Sequence, residues 1–152
     1  MWKSNWLVNL VQSIVFQTII SGVLVFILSQ YILKFIIEPF QEYKKIIVKI
    51  DNKLKFYSNV IVNPPFSSQL SEDYLTAKKE LRILSCELES SYKVLPFKKL
   101  RLDHNKIAQA VQDLIWLSNA TGHRDETDTV NLPLEADKKI KEIRKNLKIP
   151  EI

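Results

Sequence analysis

Charge is missing from the start of this chain for an unusually long distance. From Ser4 to Leu33 no side chain is ionised, a run longer than the roughly 20 residues a helix needs to cross a hydrocarbon core of about 30 Å. The densest apolar part, Thr18 to Ile37, is the expected span. No Gly-Pro-Asn cluster interrupts the run, so one crossing is expected rather than two. The earlier half differs in pattern. At about 100° per residue, Asn5, Asn9, Gln12 and Ser13 gather on one quarter of a helix, away from Leu7, Leu10, Val11, Ile14 and Val15. That amphipathic segment either lies in the interface with Trp2 and Trp6 at headgroup level or extends the span as a tilted helix.

Polar residues continue into the span. Asn5, Asn9, Ser13, Gln17 and Ser21 recur every four residues, Ser29 falls two steps later, and Gln30 follows it. Each step of four turns about 40°, so the ladder winds slowly round the helix. Amides facing lipid without partners cost several kcal/mol each, roughly, and such residues face other helices or water. The ladder therefore predicts self-association, either by hydrogen bonding between helices or around an aqueous lumen. Ser21-Gly22 offers a small-residue contact point, without a GxxxG motif.

Past Glu38-Pro39 the pattern becomes that of a water-facing helical domain. Pro39 is expected to interrupt the span and allow a kinked restart. Tyr43, Ile46, Ile47, Ile50, Leu54, Tyr57 and Ile61 then trace one apolar stripe, ended by Asn63-Pro64-Pro65. After Ser71 as a helix cap, a second stripe holds Tyr74, Leu81, Leu84, Leu88 and Tyr92. The third begins near Asp103, carries Ile107, Val111, Leu114, Ile115, Trp116 and Leu117, and closes at Gly122. The fourth, Pro133 to Lys148, turns Leu134, Ile140, Ile143 and Leu147 inward, with Glu135–Lys139 and Asp137–Lys141 as supporting pairs. The fold class is all-α: an N-terminal single-pass transmembrane helix over residues 1–38, then a cytosolic four-helix domain over 39–152.

Composition and charge set the orientation. Two glycines among 152 residues favour long helices over hairpins. Lys3 stands alone before the apolar run, whereas Lys34, Lys44, Lys45, Lys49, Lys53 and Lys55 follow it. By the positive-inside rule the C-terminal part is cytoplasmic and the N-terminus outside, in an inner (cytoplasmic) membrane. The six lysines are the expected contacts with anionic headgroups. No signal-peptide cleavage pattern precedes Glu38, and Asn119-Ala-Thr121 is a chance match to a glycosylation acceptor in that topology. The lone Cys86 suggests a reducing compartment and a packing role.

Catalytic chemistry is thin. Asp103-His104 reads as a helix cap with its first-turn residue, and Gly122-His123-Arg124 as a helix end. No phosphate loop, HExxH or GxSxG is present. No catalytic residue, metal site or cofactor is assigned. Further basic clusters, Lys98, Lys99, Arg101 and Lys106, and Lys138 to Lys148, suit a membrane face or nucleic acid, although no aromatics interleave them.

An N-terminal span continuing through IIEPFQEYKK into a small helical cytosolic domain resembles, in layout, the accessory small membrane proteins associated with type VI-B CRISPR systems. That resemblance implies a ring-like homo-oligomer forming a membrane pore in antiviral defence, with a CRISPR effector or its RNA products as partner. Asn5, Asn9, Gln12, Ser13, Gln17, Ser21, Ser29 and Gln30 would line the pore or the helix contacts. The family was first grouped with HEPN ribonucleases, whose signature spaces Arg and His more widely than Arg101 and His104 stand here. The pair is a degenerate one, and ribonuclease activity is not implied. A membrane-tethered adaptor, recruiting a protein or RNA partner without pore activity, is the alternative.

Overall fold

The computed structural model describes residues 13–62, 72–97, 103–120 and 131–150, all of which fall in helices or their immediate flanks. No strand occurs among them. The described residues form six α-helices in order: α1 Ile14–Ile32, α2 Glu38–Phe56, the short α3 Ser58–Val62, α4 Glu72–Val94, α5 His104–Ala120 and α6 Asn131–Leu147, with a π-helical turn Leu33–Ile37 between α1 and α2. The chain divides into two compact units, Met1–Glu38 and Pro39–Ile152.

In the first unit, Ser13 caps α1, its Oγ accepting from the Phe16 amide at 3.2 Å. At about 1.5 Å per residue, its 19 residues rise about 28 Å. Apolar residues cover the whole circumference and no side chain of α1 is buried.

The expected interruption at Pro39 takes another form. Helical backbone runs without a break from Ile14 to Phe56, and the disturbance is absorbed in the π turn, where the Glu38 amide donates to the Leu33 carbonyl. A proline ring clashes with the carbonyl four residues earlier, here Phe35. One extra residue in the preceding turn widens it and relieves that clash without ending the helix.

In the second unit the four predicted stripes meet in one core. Ile50, Leu54, Ile61, Leu81, Leu84, Leu88, Leu114, Leu117 and Ile143 are fully enclosed. α5 packs against both α4 and α6, and α3 touches α4 and α6. Each such Leu or Ile contributes roughly 1.5–3 kcal/mol by leaving water. The α2 stripe is as expected, with Tyr43, Ile50, Leu54 and Tyr57 buried and Ile46 and Ile47 packed beside them.

The fourth stripe is corrected. Leu134 is 78% exposed and Ala136 is buried in its place, because α6 begins at Asn131 and its inward face runs Ala136, Ile140, Ile143, Leu147. Lys139 does not serve Glu135; it reaches Asp113 on α5. Trp116 is half-buried rather than enclosed, and Cys86 is exposed on α4, so the packing role expected for it does not hold.

α6 ends in a Schellman motif: the Ile149 amide donates to the Arg144 carbonyl and the Lys148 amide to that of Lys145. Lys148 takes the left-handed conformation, φ 55°, where glycine is preferred. Ile149 folds back onto the core. Asp103 caps α5, accepting from the Asn105 amide at 3.0 Å.

Candidate functional site

The apolar surface of α1 is the most prominent feature of the first unit. Val23 to Leu28 are each about half or more exposed, a continuous greasy face far above what isolated surface leucines produce. Ser13, Gln17, Ser21, Ser29 and Gln30 are all exposed along it, while Asn5, Asn9 and Gln12 lie outside the described residues.

These polar groups differ in what they still require. The Ser29 hydroxyl donates to the Val25 carbonyl at 2.7 Å and that of Thr18 to Ile14 at 2.8 Å, so both are satisfied within their own helix. The Gln30 side-chain amide has no partner among the described residues. Thr18, Gly22, Val25 and Ser29 share one face about 60° wide at about 100° per residue, and Gln30 stands on another side. A Cβ built on Gly22 would meet nothing within 4 Å, so nothing within the described chain requires a glycine there.

The basic residues that follow α1 divide into two groups. Lys45 pairs with Glu42 at 2.7 Å, Lys49 with Glu87 at 2.8 Å, Lys53 with Glu80 at 2.6 Å and Lys55 with Asp51 at 2.7 Å. Lys49 and Lys53 thereby tie α2 to α4, and Arg144 joins Asp51 from α6 at 3.1 Å. Lys34 and Lys44 are exposed and unpaired among the described residues. The Lys53 hydrogen bond holds the Glu80 carboxyl below the usual range and raises the Lys53 ammonium, against the opposing effect of desolvation. Burial, and next the neighbouring Tyr92, push Tyr43 up to about 12.

Four buried polar residues, Asp51, Ser85, Asp113 and Ser118, escaped the sequence reading, and Asp113 is the more deeply buried of the two acids. Asp113 is 1% exposed. Its Oδ1 accepts from Gln109 Nε2 at 2.9 Å and Lys139 Nζ at 2.8 Å, while its buried Oδ2 has no partner among the described residues. The available signal was an acid at the edge of the apolar stripe, with a glutamine one turn before it.

His104 is exposed on the first turn of α5 and stacks on Tyr92 with ring centroids 5.7 Å apart. A groove of about 590 Å³ adjoins them, floored by Ile107 and Val111 and edged by Glu89 and Lys93. Glu89 and Lys93 are paired with each other at 2.6 Å. Arg101 lies outside the described residues, as do Lys98, Lys99 and His123. No group of three or more metal-ligating side chains assembles among the described residues. Asn119 of the glycosylation-like triplet accepts from Arg82 at 3.0 Å.

Compared with protein-family models, with curated proteins and with solved structures, the chain gave no match.

Proposed function

We propose that this chain is a single-pass membrane protein that works as a homo-oligomer, with the N-terminus outside and Pro39–Ile152 in the cytoplasm. The observation that carries the reading is the surface of α1: 19 helical residues without a charge and without a buried side chain, over a length of about 28 Å that matches a bilayer core of about 30 Å. Water is a poor solvent for such a surface, and acyl chains are a good one.

Self-association follows from what the lipid-facing helix still lacks. A ring needs two different contact faces on each subunit, and α1 has small or polar residues on two sides, Thr18-Gly22-Ser29 on one and Gln30 on another. Gly22 permits close helix approach. In its sharpest form the assembly encloses a polar lumen and perturbs the membrane, as the resemblance to type VI-B CRISPR accessory proteins implies. The antiviral setting and a CRISPR effector or its RNA as partner rest on that resemblance.

The test is flux of a small dye through vesicles containing the purified chain, together with its mass in detergent. An oligomer and a leaking vesicle are expected. A monomer in sealed vesicles at high occupancy rejects the proposal.

A tethered adaptor is the second reading, favoured by the groove beside Tyr92 and by Val94 and Phe97, 71% and 69% exposed near it in sequence. Replacing Thr18 to Ile32 by a poly-leucine span separates the two: an adaptor keeps its activity and a pore loses it.

A further inference from the structure

We infer that the outer face of α6 is a docking surface for the anionic headgroups of a phospholipid bilayer. The inference rests on the membrane anchoring proposed above and adds a second, separate contact to it.

The face is defined by register. Leu134, Lys138, Lys141 and Lys145 fall within an arc of about 60° at about 100° per residue, and all four are exposed. Lys148 extends the row just past the helix end. Only Lys141 of this set is engaged by a carboxylate, Asp137 at 2.7 Å. Lys138, Lys145 and Lys148 have no ion pair among the described residues. They contrast with Lys45, Lys49, Lys53 and Lys55, whose charges are already met by acids of the same domain. Lys34, Lys44, Lys78 and Lys79 are also exposed and without an ion pair among the described residues, but only along α6 and its end do three such lysines, Lys138, Lys145 and Lys148, form one row. A shallow hollow of about 560 Å³ runs along this face, lined by Leu134 and Ile149, by the cations Lys138, Lys141, Arg144 and Lys145 and by the acids Asp137 and Glu142.

Charge complementarity and apolar content together select the occupant. Ammonium groups on long aliphatic stems suit a layer of phosphates, since each stem can lie on apolar surface while its head stays wet. Leu134, 78% exposed at one end of the row, offers a side chain for the acyl boundary. Neither an aromatic ring for base stacking nor an arginine stands within the arc, so a nucleic acid is the less suited partner. A helix that anchors the chain in a bilayer also keeps α6 at high effective concentration near that bilayer, so a few lysines suffice.

The experiment uses the full chain with Cys86→Ser and Leu134→Cys, a polarity-sensitive fluorophore on the introduced thiol, and two vesicle types: phosphatidylcholine alone, and an equal mixture of phosphatidylcholine and phosphatidylglycerol. The chain is expected to float with both types through α1. Fluorophore emission should brighten and shift to the blue only with phosphatidylglycerol. The change should vanish in about 1 M salt, where the screening length falls to about 3 Å, and in the Lys138→Glu/Lys145→Glu variant with its helical spectrum unchanged. A chain that floats with both types but reports the same emission in each keeps its anchor and overturns this proposal. A chain that floats with neither fails at the anchor, and the proposal falls with it. An emission change produced by RNA in phosphatidylcholine vesicles, with none from phosphatidylglycerol, assigns the face to nucleic acid and also overturns the proposal.

Discussion

Lys139 on α6 places its ammonium 2.8 Å from Oδ1 of Asp113 on α5, joining the two helices through a carboxylate at 2% side-chain exposure and a lysine at 22%. The hydrogen bond to Asp113 raises the Lys139 ammonium above its ordinary value, against the opposing effect of desolvation. The pair is asymmetric in its access to water, and the consequences of breaking it are asymmetric too.

Lys139→Met strands a buried carboxylate with Gln109 as its remaining partner, and removing one member of a buried pair costs roughly 3–5 kcal/mol. Asp113→Asn keeps the shape and frees a lysine that can turn to water and to Glu142, 3.6 Å away, so a loss near 1 kcal/mol is expected, about the net value of one hydrogen bond. Denaturant unfolding in detergent measures both. Equal losses would show that burial of the carboxylate does not govern the pair.

Alkaline pH should destabilise the domain. Tyr43, raised from 10.0 to about 12, and Lys53 and Lys139, both raised above 10.5, hold their protons more tightly when folded than when unfolded. Their contribution is complete below about pH 10 and falls away as pH rises past the unfolded values through the folded ones. Tyr43→Phe removes the tyrosine share, so the unfolding midpoint should decline less steeply between pH 10 and 12. An unchanged slope would exclude Tyr43 as a contributor.

Leu54 and Leu114 are 1% and 0% exposed, and truncation of either to alanine is expected to cost roughly 2–5 kcal/mol. Leu134→Ala, on the outer face of α6, should stay within about 0.5 kcal/mol. Thermal melts of the three variants check the inward face of α6. A large loss at Leu134 would return it to the core.

Lys148 occupies a left-handed position, φ 55°, which costs a non-glycine residue roughly 1–2 kcal/mol. Lys148→Gly keeps both hydrogen bonds of the motif and removes that cost, although glycine gives back part of it through greater freedom when unfolded. A net gain of about 0.5–1 kcal/mol is expected from the unfolding midpoint, and a loss would mean that the lysine side chain itself holds the helix end.

Gly22→Leu tests the helix contact. Within one chain the added side chain enters open space, so the stability of the Pro39–Ile152 unit should not change. In the proposed oligomer it holds neighbouring helices apart, and the mass in detergent should drop. Retention of the full mass by this variant would move the contact to another side of α1.

The elements were legible where one periodicity dominated. The stripes of α2, α4 and α5 appeared in the sequence because each repeats Ile or Leu on one face of a helix, and most of their members are buried in the core, with Ile46, Ile47, Ile115 and Trp116 packed at its edge. α6 was harder: charged residues fill about half of its positions, and with few apolar residues to fix the phase, its pattern points Leu134 inward although Ala136 is the buried residue. At Pro39 the disruptive residue was visible, but whether a helix breaks or widens depends on the backbone around it. The polar ladder of α1 was equally plain, yet the hydrogen bond of Ser29 to its own helix reduces what it demands of neighbours.

By itself the sequence determined the uncharged length at the N-terminus, the helical character of the rest and the position of the change between them, because these depend on composition and local period. Tertiary structure decided which charges are committed. Asp51 and Arg144 meet across the bundle, and Asp113 finds Lys139 on the neighbouring helix; neither meeting can be read from spacing along the chain. An ion pair between distant residues forms only once packing has brought two helices into register. The lysines left over, and the surface they charge, are therefore a property of the folded molecule.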